Sequence, residues 1–288
     1  MHSCTKTICS VALAVLGSNA AMALPTIAVS PASIATDHLG TVQISVGSLV
    51  SSPVTLRVFV DANGNGVIDL PDDTVIWTDV VADNVADWSP NMSSDTNGAV
   101  GAVTVDVRPF GPLEFPYTAG NFIWQAEDSS GVSTLPALFS ITQTAQTQSV
   151  TGTVRETSTS VGVPGSLVLL LPFCEEGDEA LRVYSTFADE NGAFVIQVPA
   201  DVTCRNRVVV AAKPGFLTPL TAQPQLVFNG SSTFTAQDPE VTPGTVAVTG
   251  RLEYATGPQA GAGIPGVLMV ADFADGLNRS NLVVGELD

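Results

Sequence analysis

The residues with the clearest capacity for chemistry lie in one short polar segment, DANGNGVIDLPDD, at positions 61–73. Aligned with a twelve-residue calcium loop, the segment fills the ligand positions with Asp61, Asn63, Asn65, Val67, Asp69 and Asp72. Val67 would contribute its backbone carbonyl, and Gly66 stands at the position where such loops turn sharply. Because Ca²⁺ is a hard cation that takes about six to eight oxygen ligands, this spacing predicts a structural calcium site.

A polar hairpin turn is the alternative explanation of the same segment. Its two Asn-Gly pairs suit the left-handed backbone conformations that tight turns use. A turn alone does not explain the carboxylates of Asp61, Asp69 and Asp72, whose mutual repulsion would destabilise the loop without a cation. The segment departs from the usual loop by having Asp72 rather than Glu at its twelfth position, and Asp73 could replace or assist it.

The rest of the sequence offers little catalytic chemistry. His38 is the only histidine after the first 23 residues, so neither a multi-histidine metal site nor a histidine-activated nucleophile with a spare partner is available. No G-x-S-x-G, H-E-x-x-H or phosphate-cradling glycine motif occurs. Trp77 and Trp88 could stack on sugars, although core positions in strands are the ordinary place for such residues. We therefore expect that the chain is not an enzyme.

The N-terminus predicts export. Lys6 precedes an apolar segment at 8–16 and the small-residue signal Ala21-Met22-Ala23, which together are typical of a signal peptide cleaved before Leu24. No later apolar stretch is long enough to span a bilayer as a helix. We expect a secreted, extracellular or cell-surface protein with no transmembrane segment after signal cleavage, the periplasm being the alternative compartment.

Charge restricts the partners. The chain carries 10 basic and 28 acidic residues, and loss of Lys6 with the signal peptide changes the net charge from −18 to −19. Such acidity disfavours nucleic acid and anionic membranes as partners. An unidentified surface protein or a glycan is the expected partner class.

Alternation of apolar and polar residues sets the fold class. Every second residue is apolar in segments such as VQISV at 42–46, VTVDV at 103–107 and FIWQAE at 122–127, a period that is typical of strands with one buried face. No segment of helical length has a helical period, so we predict an all-β protein built of tandem β-sandwiches. The predicted divisions are a signal peptide at 1–23, a sandwich at 24–141 with the calcium-type loop, a linker at 142–148, a second sandwich at 149–235, a linker at 236–246 and an incomplete repeat at 247–288.

Two segments share a sequence pattern. VTGTV at 150–154 is followed by VPG and LVLLL, and VTGRL at 248–252 is followed by IPG and VLMV. With ADENGAFVIQVP and KPGF further along the first copy, this pattern resembles the carboxypeptidase regulatory-like domain, a transthyretin-like β-sandwich. The segment at 24–141 resembles a bacterial immunoglobulin-like sandwich. The second copy is incomplete, so we expect either that the natural chain continues beyond Asp288 or that this last segment is unstable by itself.

The regulatory-like resemblance implies a non-catalytic accessory module. Combined with the export signal and the acidic loop, it predicts a secreted or surface structural or adhesive protein whose first sandwich is stabilised by calcium. Two alternatives are a carbohydrate-binding accessory module and the regulatory fragment of a larger secreted hydrolase or peptidase.

Two cysteines, Cys174 and Cys204, remain after Cys4 and Cys9 leave with the signal peptide. An even pair in an oxidising compartment favours a disulfide over two separate buried thiols. We predict that mass spectrometry of the unreduced exported protein will find Cys174 joined to Cys204. Such a bridge stabilises a fold by about 3–4 kcal/mol on the chain-entropy model. Two alkylatable thiols in the native exported protein would refute the disulfide.

Overall fold

The computed structural model describes residues 24–86, 92–108, 117–172, 183–199, 206–219, 225–227, 233–235, 238–243, 268–274 and 280–286. Every regular element within these ranges is a β-strand, which confirms the predicted all-β class. The signal segment, Trp88 and the Cys174–Cys204 pair lie outside the described residues.

The first sandwich is formed by eight strands in two sheets. Its strands are β1 (Thr26–Ser30), β2 (Ser33–Ala35), β3 (Val42–Gly47), β4 (Val54–Val60), β5 (Thr74–Val81), β6 (Val103–Val107), β7 (Gly120–Asp128) and β8 (Ala137–Thr142). One sheet has the order β1-β3-β6 and the other β2-β8-β7-β4-β5. Among these strands only β2 and β8 pair in parallel, and the chain changes sheets between β1 and β2. This order is compatible with an immunoglobulin-like sandwich, which stays a prediction.

The core of the first sandwich follows directly from the alternation. Alternate apolar residues of β3, β6 and β4 turn inward, as do Trp77 of β5 and Trp124 of β7. The two indole rings meet edge to face, with centroids 5.2 Å apart and planes at 63°. Complete burial of an aliphatic or aromatic side chain stabilises a fold by about 1.5–3 kcal/mol, so these strands are held chiefly by their inward faces.

Five residues separate β8 from the first strand of the second sandwich. Its strands are β9 (Gln148–Thr153), β10 (Arg155–Glu156), β11 (Leu167–Pro172), β12 (Tyr184–Phe187), β13 (Ala193–Val198), β14 (Asn206–Ala212), β15 (Phe216–Pro219), β16 (Gln225–Val227), β17 (Thr233–Thr235) and β18 (Glu240–Pro243). Sheets of order β12-β11-β14-β16 and β13-β9-β17 enclose an apolar core. A third sheet, β10-β18-β15, continues into β20 (Ser280–Glu286) and β19 (Leu268–Ala274).

Strand β11 is apolar on both faces. Val168 and Leu170 enter the core of the second sandwich, whereas Leu167 and Leu169 belong to a separate buried cluster on the opposite face. A continuous apolar run is typical of a strand that is covered on both sides. Phe187 packs against that outer cluster and also against the core of the first sandwich, so apolar contact extends from one sandwich to the other.

The structure differs from the prediction at both linkers. The first is reduced to residues 143–147, where Gln143 Oε1 accepts a hydrogen bond from the amide of Gln197, and Gln197 Oε1 accepts one from the Gln146 amide at 3.4 Å. The second contains a strand, because β18 pairs with both β10 and β15 and Val241 is fully buried in the core. The linker prediction of 236–246 is therefore wrong for residues 240–243: an apolar side chain between two prolines enters the second sandwich.

Val241 provides a test of this assignment. Val241→Ala should lower the free energy of unfolding by about 2 kcal/mol, because it removes buried methyl groups from a closely packed core. Val161→Ala, at a position that is 62% exposed, should change it by less than about 0.5 kcal/mol. Urea unfolding of both variants measures the difference. Equal, small changes in the free energy of unfolding for the two variants would contradict the assignment of residues 240–243 to the second sandwich.

Candidate functional site

The polar loop predicted to bind calcium connects β4 to β5. β4 lies between β5 and β7, so the sheet fixes the direction in which the loop leaves at Asp61. The Asp61 amide donates a hydrogen bond to the carbonyl of Asn121 in β7 at 2.9 Å. Further along, Gly66 lies so close to Leu138 of β8 that a Cβ atom there would be 3.0 Å from a leucine methyl carbon. The loop therefore lies against the ends of β7 and β8.

Both glycines of the loop have left-handed backbone conformations. The φ angle is 68° at Gly64 and 74° at Gly66, in the region where a side chain would strain the backbone. The Asn-Gly pairs of the sequence thus have the turn-forming role that the hairpin alternative gave them.

The N-terminal half of the loop is organised around the Asp61 carboxylate, which belongs to a residue that is only 5% exposed. Its Oδ1 accepts a hydrogen bond from the Asn65 amide at 3.1 Å, and its Oδ2 accepts one from the Gly66 amide at 3.0 Å. Asn63 Oδ1 accepts from the Asn65 amide at 3.0 Å, and Asn65 Oδ1 accepts from the Val67 amide at 2.7 Å. Three side chains from the predicted ligand set therefore shape the turn through local hydrogen bonds to backbone amides.

Asp69 brings the second half of the loop back to the first. Its Oδ2 accepts hydrogen bonds from the side-chain amides of Asn63 at 3.1 Å and Asn65 at 2.7 Å. The hydrogen bond from Asn65 is the larger cause, and together with that from Asn63 it holds the pKa of the Asp69 carboxyl below its ordinary value. Desolvation opposes both. The Asp69 carboxylate is thus ionised at neutral pH and lies beside two of the other predicted ligands.

The two aspartates at the end of the loop have different surroundings. Asp73 is 1% exposed, and its Oδ1 and Oδ2 accept hydrogen bonds from the amides of Ala62 at 3.1 Å and Asp69 at 2.7 Å. Asp72 is exposed, and its backbone carbonyl accepts a hydrogen bond from Lys213 Nζ at 3.2 Å. Asp73 therefore closes the loop by joining its beginning to its end.

Within the described ranges, no three or more His, Cys, Asp and Glu side chains form a group that could hold a metal ion. The predicted carboxylate ligands Asp61, Asp69 and Asp72 thus do not form such a group, although the all-oxygen donor set suits calcium. The calcium site stays a prediction.

The sequence alone did not predict that Lys213 contacts this loop. Lys213 lies in the second sandwich, just after β14, and it is 7% exposed. The available signal was its rarity, since it is the only lysine after Lys6 in a strongly acidic chain.

The other described candidate residues from the sequence are Trp77 and His38. Trp77 is 2% exposed inside the first core, so its ring faces cannot stack on a sugar. His38 is half-buried near the end of β2. No described segment forms a helix that is long and apolar enough to cross a membrane.

A scan against protein-family models and a search of curated proteins found no match to this chain. Among solved structures, the chain is similar to BcpA, the major pilin subunit of Bacillus cereus, with 12% identity over 76% of this chain and 71% of that chain and a TM-score of 0.23. The shaft pilin SpaA from Lactobacillus rhamnosus GG matches with 11% identity over 78% and 99% and a TM-score of 0.24. The group B streptococcus pilus 2b backbone protein matches with 13% identity over 76% and 98% and a TM-score of 0.25. Scores at this level establish neither a shared fold nor a shared function.

Replacing each of the two terminal aspartates will separate their roles. In EGTA, Asp73→Asn should lower the free energy of unfolding by about 1–3 kcal/mol, because an amide NH₂ would face a backbone N–H in a buried position. The matched change Asp72→Asn should alter it by less than about 0.5 kcal/mol, since the Asp72 side chain is exposed and its carbonyl is retained. Denaturant unfolding of both variants measures this. An equal effect of the two changes would contradict the assignment of Asp73 as the residue that closes the loop.

Proposed function

We propose that the chain is an exported, non-enzymatic structural or adhesive module that acts in the secreted or cell-surface compartment. The observation that carries this proposal is the hydrogen-bonded junction between the sandwiches. Ala119 of the first sandwich forms a β-bridge with Thr186 of the second, and the Phe187 amide donates to the Ala119 carbonyl at 2.9 Å. Beside them, the hydroxyls of Thr118 and Ser185 are 2.8 Å apart and buried.

Apolar packing reinforces the junction. The rings of Phe122 and Phe187 meet edge to face, with centroids 5.8 Å apart. Gly120 lies between them, and a Cβ atom there would be 3.1 Å from the ring of Phe187. Flexible linkers leave neighbouring domains free to reorient, whereas a packed and hydrogen-bonded junction holds them in one orientation. Fixed orientation is the property that a surface structural module needs in order to present a binding face.

Calcium binding in the loop is part of this proposal, with Asp61, Asn63, Asn65, Val67, Asp69 and Asp72 as the ligands. The local support is the all-oxygen composition and the close approach of Asp69 to Asn63 and Asn65. The affinity expected for an extracellular module is about 10⁻⁴ to 10⁻³ M. At about a hundred times the dissociation constant, binding would stabilise the folded protein by about 2.7 kcal/mol.

The family resemblances of the two sandwiches also belong to the proposal. In the second sandwich, the turn at 189–192 connects the end of β12 to β13, with Gly192 at a φ of 76°. This geometry is compatible with a carboxypeptidase regulatory-like domain. Its partner would be an unidentified surface protein or glycan.

Thermal unfolding of the full chain tests the calcium role. At about 10 mM CaCl₂ we expect the unfolding temperature of the first sandwich to rise by about 5–10 °C relative to EGTA. Asp69→Asn should abolish the rise, because it removes a ligand charge. The substitution spares the backbone of the turn, since the Asp69 carboxylate accepts its hydrogen bonds from the side-chain amides of Asn63 and Asn65.

Asp189→Asn is the matched control. Asp189 is an exposed turn residue of the second sandwich whose Oδ1 accepts from the amides of Asn191 at 2.8 Å and Ala193 at 2.9 Å. Its variant should keep the full calcium response. An unchanged unfolding temperature with calcium, or the same rise in Asp69→Asn, would contradict the calcium role.

A further inference from the structure

Lys213 connects the two sandwiches through a single ammonium group. Its Nζ donates hydrogen bonds to the carbonyl of Pro164 at 2.8 Å, within the second sandwich, and to the carbonyl of Asp72 at 3.2 Å, at the end of the acidic loop. A buried ammonium is costly unless hydrogen bonds or opposite charges compensate for lost water. Both of these acceptors are backbone carbonyls, one from each sandwich.

The acidic loop also supplies compensating charge. The carboxylates of Asp72 and Asp73 are near enough to act electrostatically on the Lys213 amine. Negative charge from the loop therefore lies beside the amine that donates to both carbonyls.

The backbone beside Pro164 fits closely against the base of the loop. Gly165 has a φ of 61°, and a Cβ atom at this position would lie 2.9 Å from the Asp72 carbonyl oxygen and 3.6 Å from the Ala62 side chain. Contact at this distance leaves no space for a side chain. Pro164 and Gly165, which belong to the VPG of the repeated sequence pattern, thus form the surface against which the loop packs.

The acidic loop and the junction between the sandwiches are both attached to the start of β7. The Asp61 amide is bonded to the carbonyl of Asn121, and Ala119, two residues earlier, is bonded to Phe187 of the second sandwich. A displacement of the loop would therefore act on the domain junction at two points: directly through Lys213 and through the start of β7.

We propose that Lys213 is an interdomain latch, which docks the second sandwich onto the base of the acidic loop so that the state of the loop sets the rigidity of the domain pair. The latch follows from the contacts of Lys213 and Gly165. Its response to calcium rests on the proposed function of the loop.

The rarity of lysine allows a direct test in the full chain. Acetylation by an amine-reactive ester, followed by peptide mass spectrometry, reports Lys213 separately from Lys6 and the α-amino group. We expect Lys213 to react at least about tenfold more slowly in native buffer than in urea, because its amine is buried between the sandwiches. Equal rates in the two conditions would overturn the latch.

A substitution tests whether the amine holds the domains together. Lys213→Met keeps an unbranched side chain and removes the donors, and small-angle X-ray scattering should then show a larger radius of gyration and a more flexible pair. Arg57→Met is the control, since Arg57 forms an ion pair with Glu127 at 2.6 Å within the first sandwich. Circular dichroism verifies that both variants fold. Scattering from folded Lys213→Met that equals that of the wild type would overturn the latch, and a variant that fails to fold leaves the wild-type labelling rate as the deciding measurement.

The same labelling experiment separates the latch from the calcium proposal. With both proposals correct, calcium should change the acetylation rate of Lys213 by at least about threefold relative to EGTA, because Asp72 belongs both to the proposed ligands and to the contact with Lys213, and Asp69→Asn should remove this difference. No calcium-dependent rise in unfolding temperature, together with a protected Lys213 and a flexible Lys213→Met variant, would refute the calcium role and support the latch. A calcium-dependent rise with identical labelling rates in calcium and EGTA would retain the calcium role and overturn the coupling.

Discussion

Strand β7 provides the constraint on which the candidate site and the domain junction both depend. Its hydrogen bonds with β4 and β8 place it inside the five-stranded sheet, and Trp124 anchors it in the core. The residues at its start then form two further bonds: Ala119 with Phe187 of the second sandwich and Asn121 with Asp61 of the loop. A strand that is paired on both sides moves little relative to its own sheet. The loop and the junction are therefore attached to one rigid element, and a change at one acts on the other through the start of β7.

The acidic loop shows how one segment can satisfy two physical requirements. Its carboxylates must be neutralised or solvated, and several amides of its turn need acceptors. Asp61 and Asp73 meet both needs by accepting hydrogen bonds from loop amides. Asp69 and Asp72 are less constrained by the backbone. The loop is thus folded by its own hydrogen bonds. A cation would bind to a turn whose shape those bonds already fix.

Lys213 resolves an electrostatic problem that the acidic composition creates. The chain has few cations, and a loop with four aspartates within 13 residues is placed where a second domain must pack. One buried ammonium directed at the end of that loop places a positive charge beside Asp72 and Asp73 where the two sandwiches meet. The same contact gives the proposed surface module a fixed orientation, and it makes the domain pair responsive to the loop.

The sequence by itself determined the all-β class, the inward faces of strands such as Val42–Gly47, and the turn-forming role of the Asn-Gly pairs. These follow from alternation and local backbone preference, which act between near neighbours in the chain. It could not assign Val241 to a strand, because that assignment depends on which distant strands come to lie beside it. Tertiary structure alone decided that Asp73 is the buried aspartate that closes the loop and that Lys213 lies against the loop. Those contacts join residues up to 141 positions apart, and burial and long-range pairing, which no local pattern encodes, bring them together.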